Sequence, residues 1–261
     1  LSPRTIRNSD IRAVEVATAK AFPGLVNEWH DGWLLRAGDG IAERSNSASP
    51  LGPSVGFEPV PMEDISWFYA RHDLPVKLHI PERIGRPAQK VIDADPQKWV
   101  MGPEILVMTK SLDHVESHEL PGGLEFSVDK QPDQEWLGMY HFRGQALPAH
   151  ALELLRTQIE GRMGFGRLTT PAGQTVAITR ATITAAEERI FLGYSAVEVD
   201  PAFRRQGLGT ALGSRIQEWG AEQHAQEAYL QVVAHNEAGI GLYQKLGFSE
   251  HHRHRYAERK F

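Results

Sequence analysis

The chain has 261 residues, 41% of them hydrophobic and 23% charged, with a formal net charge of -5 and no cysteine. That composition belongs to a soluble globular protein with a sizeable core, and the length predicts two domains. The charge balance points away from nucleic acid, and the missing thiols exclude disulfides, thiolate metal sites and a cysteine nucleophile while fitting a cytoplasmic location.

In chain order, Leu1–Arg7 lacks the apolar segment of a signal peptide, and no apolar run approaches the length of a membrane span, so no membrane partner is expected. Ile11, Val14, Val16 and Ala17 follow Ser9 and Asp10, predicting a capped helix over Asp10–Lys20. Trp33–Ala37, the turn Gly38-Asp39-Gly40 and Ile41–Ser45 read as a hairpin. Gly52-Pro53-Ser54-Val55-Gly56 fits the Gly-x-Ser-x-Gly of hydrolase nucleophiles. Polar residues precede it and prolines crowd it, so a loop is expected instead. A helix is predicted at Met62–His72, and strands at Val76–Ile80 and Glu104–Lys110. The polar stretch 111–123 ends in Pro-Gly-Gly and reads as a linker. It separates an N-terminal α+β domain over 1–115 from a second domain over 121–261.

The second domain opens with a strand at Leu124–Asp129 and helices at Gln134–Phe142 and Pro148–Arg162. Strands follow at Arg167–Thr170, Thr175–Thr182 and Arg189–Val199. A helix over Leu208–Gln223 puts Leu208, Leu212, Ile216 and Trp219 on one face. A strand at Ala228–Val233 leads to a helix behind Asn236. His251, His252 and His254, among Arg253 and Arg255, read as a final solvent-exposed strand. His252 and His254 share a face there, but nothing completes a ligand set, so no metal is expected.

Two motifs carry the chemistry. The strand ending at Val199 stops at Asp200-Pro201, and a basic glycine loop, Arg204-Arg205-Gln206-Gly207-Leu208-Gly209-Thr210, opens the next helix. Backbone N–H groups at a helix N-terminus, with two arginines beside them, make a cradle for phosphate oxygens. The second motif runs Asn236-Glu237-Ala238-Gly239-Ile240-Gly241-Leu242-Tyr243-Gln244-Lys245-Leu246-Gly247-Phe248. Asn236 is placed to cap its helix. Ala238, Leu242 and Leu246 define the buried stripe, and Tyr243 stands one step off it. Gly207-Leu208-Gly209-Thr210-Ala211-Leu212-Gly213 also fits a loose dinucleotide pattern, but Ala228–Val233 ends without the acidic residue that a nicotinamide enzyme needs.

Together the motifs resemble the GNAT superfamily of acetyl-CoA-dependent N-acetyltransferases, most sharply between positions 193 and 250. The resemblance implies a mixed, mostly antiparallel sheet flanked by helices, an α/β (α+β) fold. The N-terminal pattern is compatible with a degenerate second copy. The run Asp31–Arg36 through Ser45–Ser47 looks like the N-terminal part of two-domain actinobacterial members, some labelled N-acetylglutamate synthases. The resemblance further implies acetyl-CoA as co-substrate. Val197, Glu198 and Val199 of a bulged strand would pair with its pantetheine arm, and a backbone N–H near Val199 would face the thioester oxygen. Arg204, Arg205, Gln206, Gly207, Leu208, Gly209 and Thr210 would hold the pyrophosphate, and Asn236 would bond the pantetheine. Tyr243 would be the general acid for the departing thiolate.

The general base departs from the family pattern. The two positions that often carry Glu hold Gly193 and Gln231 here. Glu198 is the nearest remaining carboxylate, with His141 as a second candidate. The implied acceptor is the primary amine of a small molecule, and Arg36 with Arg44 could fork onto the carboxylate of an amino acid such as glutamate. A protein N-terminus or lysine as acceptor, and a silent acyl-CoA-binding regulator, are the competing readings. A monomer or homodimer is expected.

Overall fold

The structure, a computed structural model, describes residues 5–117, 119–142, 145–146, 148–157 and 160–260. Leu1–Arg4, His118 of the expected linker and positions 158 and 159 of the expected helix Pro148–Arg162 lie outside the described residues. The N-terminal elements are α1 (Asn8–Ala21), β1 (Val26–His30), β2 (Trp33–Ala37), β3 (Ala48–Pro50), α2 (Met62–Arg71), β4 (Lys77–Pro81), α3 (Arg86–Ala94), β5 (Trp99–Met101) and β6 (Ile105–Ser111). The remainder holds β7 (Glu125–Asp129), α4 (Gln134–Met139), β8 (His141–Phe142), β9 (Gln145–Ala146), α5 (Ala149–Arg156), β10 (Arg162–Thr169), β11 (Thr175–Ala186) and β12 (Arg189–Val199). After these come α6 (Leu208–Glu222), β13 (Glu227–Val233), α7 (Glu237–Lys245) and β14 (Ser249–Arg259). No helix among the described residues is long and apolar enough to cross a membrane.

Twelve strands form one sheet in the order β1-β2-β3-β4-β14-β6-β13-β12-β11-β10-β7, with β5 beside β14. Among the strands of the described residues only β3–β4 and β12–β13 pair in parallel, so the sheet is mixed and mostly antiparallel, with helices against it. The apolar stripe of α1 (Ala13, Val14, Ala17) buries against Val107, Phe191 and Tyr229. On the opposite side Ile216 of α6 and Leu246 next to α7 close over Leu106, Met108, Leu192, Tyr194 and Leu230. A separate core gathers Trp33, Ile65, Phe68, Leu78 and Ile92 beneath α2 and α3. β6 stands between β13 and β14, and β14 also pairs with β4 and β5. The sheet therefore runs unbroken past the boundary expected at 115–121.

Three local expectations are corrected. The first hairpin is β1–β2, not Trp33–Ala37 with Ile41–Ser45. Asp31 and Gly32 carry positive φ (46° and 84°), the signature of a two-residue turn matched to strand twist. Gly38 and Gly40 instead donate to the Asn46 side chain, wrapping residues 38–47 into a loop. Helix α1 starts at Asn8, two residues earlier than expected, behind an Arg7 N-cap whose N–H donates to the Asp10 carboxylate at 2.9 Å. The third correction is the histidine strand: His252 and His254 are 1% and 2% exposed, facing Glu15 of α1 and His79 of β4. Covering by the N-terminal helix, invisible to local pattern, turns the face expected to be solvent-exposed into a buried one.

Candidate active site

Strands β12 and β13 pair only over Phe191–Gly193 and Glu227–Tyr229. Past that point they diverge, leaving a cleft between backbone edges. A bulge in β12 causes the divergence. Ser195 pairs with Arg180 and Glu198 with Ile178, so Ala196 and Val197 together oppose Thr179. Ala196 takes a φ of 55°, unusual for a residue with a side chain. It rests among Trp136, Tyr140, Leu155 and Phe165, a packing that holds the bulge open. The strand holding Val197, Glu198 and Val199 is thus bulged, as expected.

Just beyond, Asp200 accepts from the Ala202 N–H at 2.8 Å and sets the turn at Pro201–Phe203. Arg204 donates through Nε to the Val199 carbonyl at 3.1 Å, folding the loop back onto the strand. Arg205 (φ 60°) and Gly207 (φ 81°) are both left-handed, and Gly207 is the N-cap of α6. Arg204, Arg205, Gln206 and Gly207 are exposed. They surround the first-turn N–H groups of Leu208, Gly209 and Thr210, which a helix leaves without internal partners. At Gly209 and Gly213 an added Cβ would lie 3.2 Å and 2.4 Å from Leu242 and Leu246, so these glycines let α6 and α7 close together.

Asn236 caps α7, its Oδ1 accepting from the Gly239 N–H at 3.0 Å. Two turns on, Tyr243 is half-buried in an edge-to-face cluster with Tyr194 (6.2 Å) and Phe248 (6.3 Å). Burial, and then the nearby Glu198 charge, push the Tyr243 phenol up to about 12, so it is a proton-bearing group at any physiological pH. Burial also raises the Glu198 carboxyl, against the pull of His141 and Arg204. His141 is exposed, with Nδ1 on the Met139 carbonyl. Gly193 has a physical reason: a Cβ there would sit 2.5 Å from the Tyr229 hydroxyl. Tyr229 fills the space that a carboxylate would need.

A cavity of about 210 Å³ opens where the N-terminal loop meets β13 and β14, lined by Glu43, Arg44, Gln231, Val233, His254 and Tyr256. The Arg44 guanidinium lies 3.5 Å from the Phe22 ring centre, and Arg180 4.4 Å from the same ring. Arg36 behaves differently from the expected fork. It is 2% exposed, with Nη2 donating to Ser49 at 2.7 Å and Nη1 to the Phe22 carbonyl at 3.4 Å, so only Arg44 of the pair reaches the cavity. The Nε2 of Gln231 and the Nε2 of His254 are buried without a hydrogen-bond partner.

Behind His254 lies a network that the sequence reading did not contain. His252 Nε2 and His254 Nδ1 contact Glu15 Oε1 at 2.7 and 3.1 Å. His79 Nε2 lies 2.8 Å from His254 Nδ1, and Ser49 Oγ 3.0 Å from His79 Nδ1. Burial opposes a charged Glu15, but the charges of His79 and His254 and the bonds from His252 and His254 hold its pKa well below the ordinary range. A glutamate inside the apolar stripe of a helix, at Glu15 between Val14 and Val16, was the one available signal.

A family model described as "Probable histone acetyltransferase Rv0428c C-terminal" matches residues 8–257. The probable histone acetyltransferase Rv0428c of Mycobacterium tuberculosis is 32% identical over 258 residues, 98% of this chain and 76% of that protein. A GCN5-related N-acetyltransferase from Kribbella flavida superposes with a TM-score of 0.73 at 14% identity, over 98% of this chain and 97% of the other. A tandem GNAT protein from the clavulanic acid biosynthesis pathway superposes at 0.64 and 14% identity, over 98% and 90% of the two chains.

Proposed function

This chain belongs to the Rv0428c C-terminal family of GCN5-related N-acetyltransferases, and we propose that it moves an acetyl group from acetyl-CoA to the primary amine of a small molecule, an amino acid such as glutamate being one such acceptor. The observation that carries the reading is the placing of two unlike openings on β13. A cleft flanked by exposed basic backbone lies toward β12, and a small polar cavity lies toward β14.

The residues present fit acetyl-CoA. An added Cβ at Gly207 would meet no atom within 4 Å, so the N-terminus of α6 is open to a pyrophosphate flanked by Arg204, Arg205 and Gln206. Gly209 and Thr210 complete the turn of donors. The free backbone edges at Val197, Glu198 and Val199 suit an extended pantetheine arm, with Asn236 across the cleft. Bound there, acetyl-CoA supplies the activated acyl group. Tyr243, with its proton held by burial, delivers that proton to the leaving sulfur. Arg44 and the free Gln231 amide give the cavity donors for carboxylate or carbonyl oxygens, which favours an acceptor carrying such a group near its amine. A volume of about 210 Å³ suits a small molecule. We read the N-terminal part as a lobe that completes the acceptor wall.

The name of the Mycobacterium tuberculosis relative supports a second reading, a protein amine as acceptor. Free-thiol release from acetyl-CoA, measured over amino acids, simple amines and histone-tail peptides, separates the two. Turnover of amino acids, strongly reduced in Tyr243→Phe, is expected. Turnover confined to peptides would replace the small-molecule acceptor with a protein, and acetyl-CoA binding without any turnover would leave a binding regulator.

A further inference from the structure

The family's usual base positions are glycine and glutamine here, while an unpaired ring nitrogen on β14 adjoins the proposed acceptor cavity. We propose that His254, oriented by Glu15 from α1, is the general base that deprotonates the acceptor amine, an assignment that rests on the acetyltransferase reading above.

The Glu15 carboxylate selects the tautomer, and it requires that His79 Nε2, 2.8 Å from the same His254 Nδ1, also accepts from it while His79 Nδ1 donates to Ser49. An ionised Glu15 can only accept, so the rings that touch its Oε1 at 2.7 and 3.1 Å must donate: His252 through Nε2 and His254 through Nδ1. His252 Nδ1 is then an acceptor, matched by the His251 Nδ1 at 2.7 Å. With its proton on Nδ1, the neutral His254 ring presents a bare lone pair at Nε2. That atom is buried and unpartnered, on a residue 2% exposed that lines the cavity. The ring edge carrying Nδ1 is committed to Glu15 and His79, so the edge carrying Nε2 is the one without a partner. A lone pair sealed from water without a donor is costly, and an entering ammonium group supplies that donor.

Gln231 stands beside it. In the sheet, Gln231 pairs with Val107 and Val107 with His252, while Val233 pairs with Ile105 and Ile105 with His254. The usual base position on β13 and His254 therefore lie on adjoining rows, with β6 between their strands. The base has moved two strands along the sheet and is held by the N-terminal helix. Glu198 does not line this cavity and is electrostatically tied to His141, Arg204 and Tyr243, so it belongs to the thioester side.

The proton balance closes. One ammonium proton passes to His254 Nε2, directly or through one water, and the freed nitrogen lone pair forms the C–N bond as the C–S bond breaks. Tyr243 gives its proton to the sulfur and is reprotonated by the second proton leaving the nitrogen. His254 returns the first proton to solvent. Glu15 acts through His254 and is a positioning residue.

The test combines kinetics with nitrogen NMR on the full chain. The groups that bear on His254 are Glu15 of α1, His79 of β4, Arg36 behind Ser49, His252 and Tyr256 of its own strand, and Glu43 and Arg44 of the loop. His254→Asn keeps a donor toward Glu15 and removes Nε2. About a 100-fold or larger loss of kcat is expected, with acetyl-CoA thermal stabilisation unchanged. Activity within about threefold of the parent overturns the base and leaves the acetyltransferase standing. No turnover of any amine by the parent chain defeats the functional reading itself and takes the base with it. The NMR arm needs no variant to fold: neutral His254 should carry its proton on Nδ1, and a proton on Nε2 overturns the assignment. Glu15→Gln should raise the Nε2–H tautomer, a change that loss of packing alone does not produce.

Discussion

At Gly193, a residue type that looks like a deletion of function is a consequence of packing. Tyr229 is 3% exposed, and its ring leaves 2.5 Å between its hydroxyl and any Cβ at that position. Gly193→Glu should therefore not restore a base on β12. We expect a loss of stability of about 1–3 kcal/mol and no gain in kcat, read by denaturant titration and thiol release. The buried histidines give a pH prediction of definite sign. Burial, and then His252, lower His251 from 6.5 to about 4, and burial drives His79 the same way. The unfolded chain then takes up these protons at higher pH than the folded one. The stabilisation is complete above pH 6.5 and is lost as the pH falls toward 4. Glu15, held below 4.5, adds a loss in the same direction at lower pH. Thermal melts from pH 7.5 to 4 should fall steadily, and His251→Gln should flatten the upper part of that decline. A flat parent profile would contradict the burial of these rings.

At the scale of elements, the proposed cofactor half is a local structure. Strand, loop and helix over 189–222 follow one another in the chain, and their turn residues announce their geometry. Gly207 needs its left-handed φ of 81° to cap α6. Gly207→Val should weaken the apo chain by about 1–2 kcal/mol and remove most of the thermal stabilisation by acetyl-CoA. If that stabilisation persists, the pyrophosphate does not sit at this helix. The same locality explains what the sequence disclosed. Asn236 at the cap and Tyr243 one step off the buried stripe were readable because a helix repeats over short spans. The proposed acceptor half was not readable. Glu15 and His252 meet across 237 positions, and the charge-rich pattern of β14 looks solvated until α1 is laid over it. The misplaced hairpin has the same origin in miniature, since two glycine turns stood close together and only the strand partners decide between Asp31-Gly32 and Gly38–Gly40.

At the scale of the molecule, the order of strands makes the two lobes depend on each other. β6 lies before the polar stretch 111–123, yet it pairs along all of β13 on one side and with β14 on the other. Helix α1 likewise covers β11 and β12 from the N-terminal end, and Arg180 of β11 donates to the Ala21 carbonyl at 2.8 Å. Cutting at 115–121 would strip β13 of its antiparallel neighbour, leave β14 with no partner, and expose Phe191 and Tyr229. An uncovered strand edge of that kind recruits other chains. We therefore expect the full chain to unfold in one cooperative transition and the fragment 121–261 to aggregate or lack a cooperative melt. Adding the separately made fragment 1–115 should restore acetyl-CoA binding to some of it. A soluble 121–261 that melts cooperatively and turns over amines would show that neither β6 nor Glu15 is needed, and would remove the physical link by which the N-terminal part is proposed to shape the acceptor site.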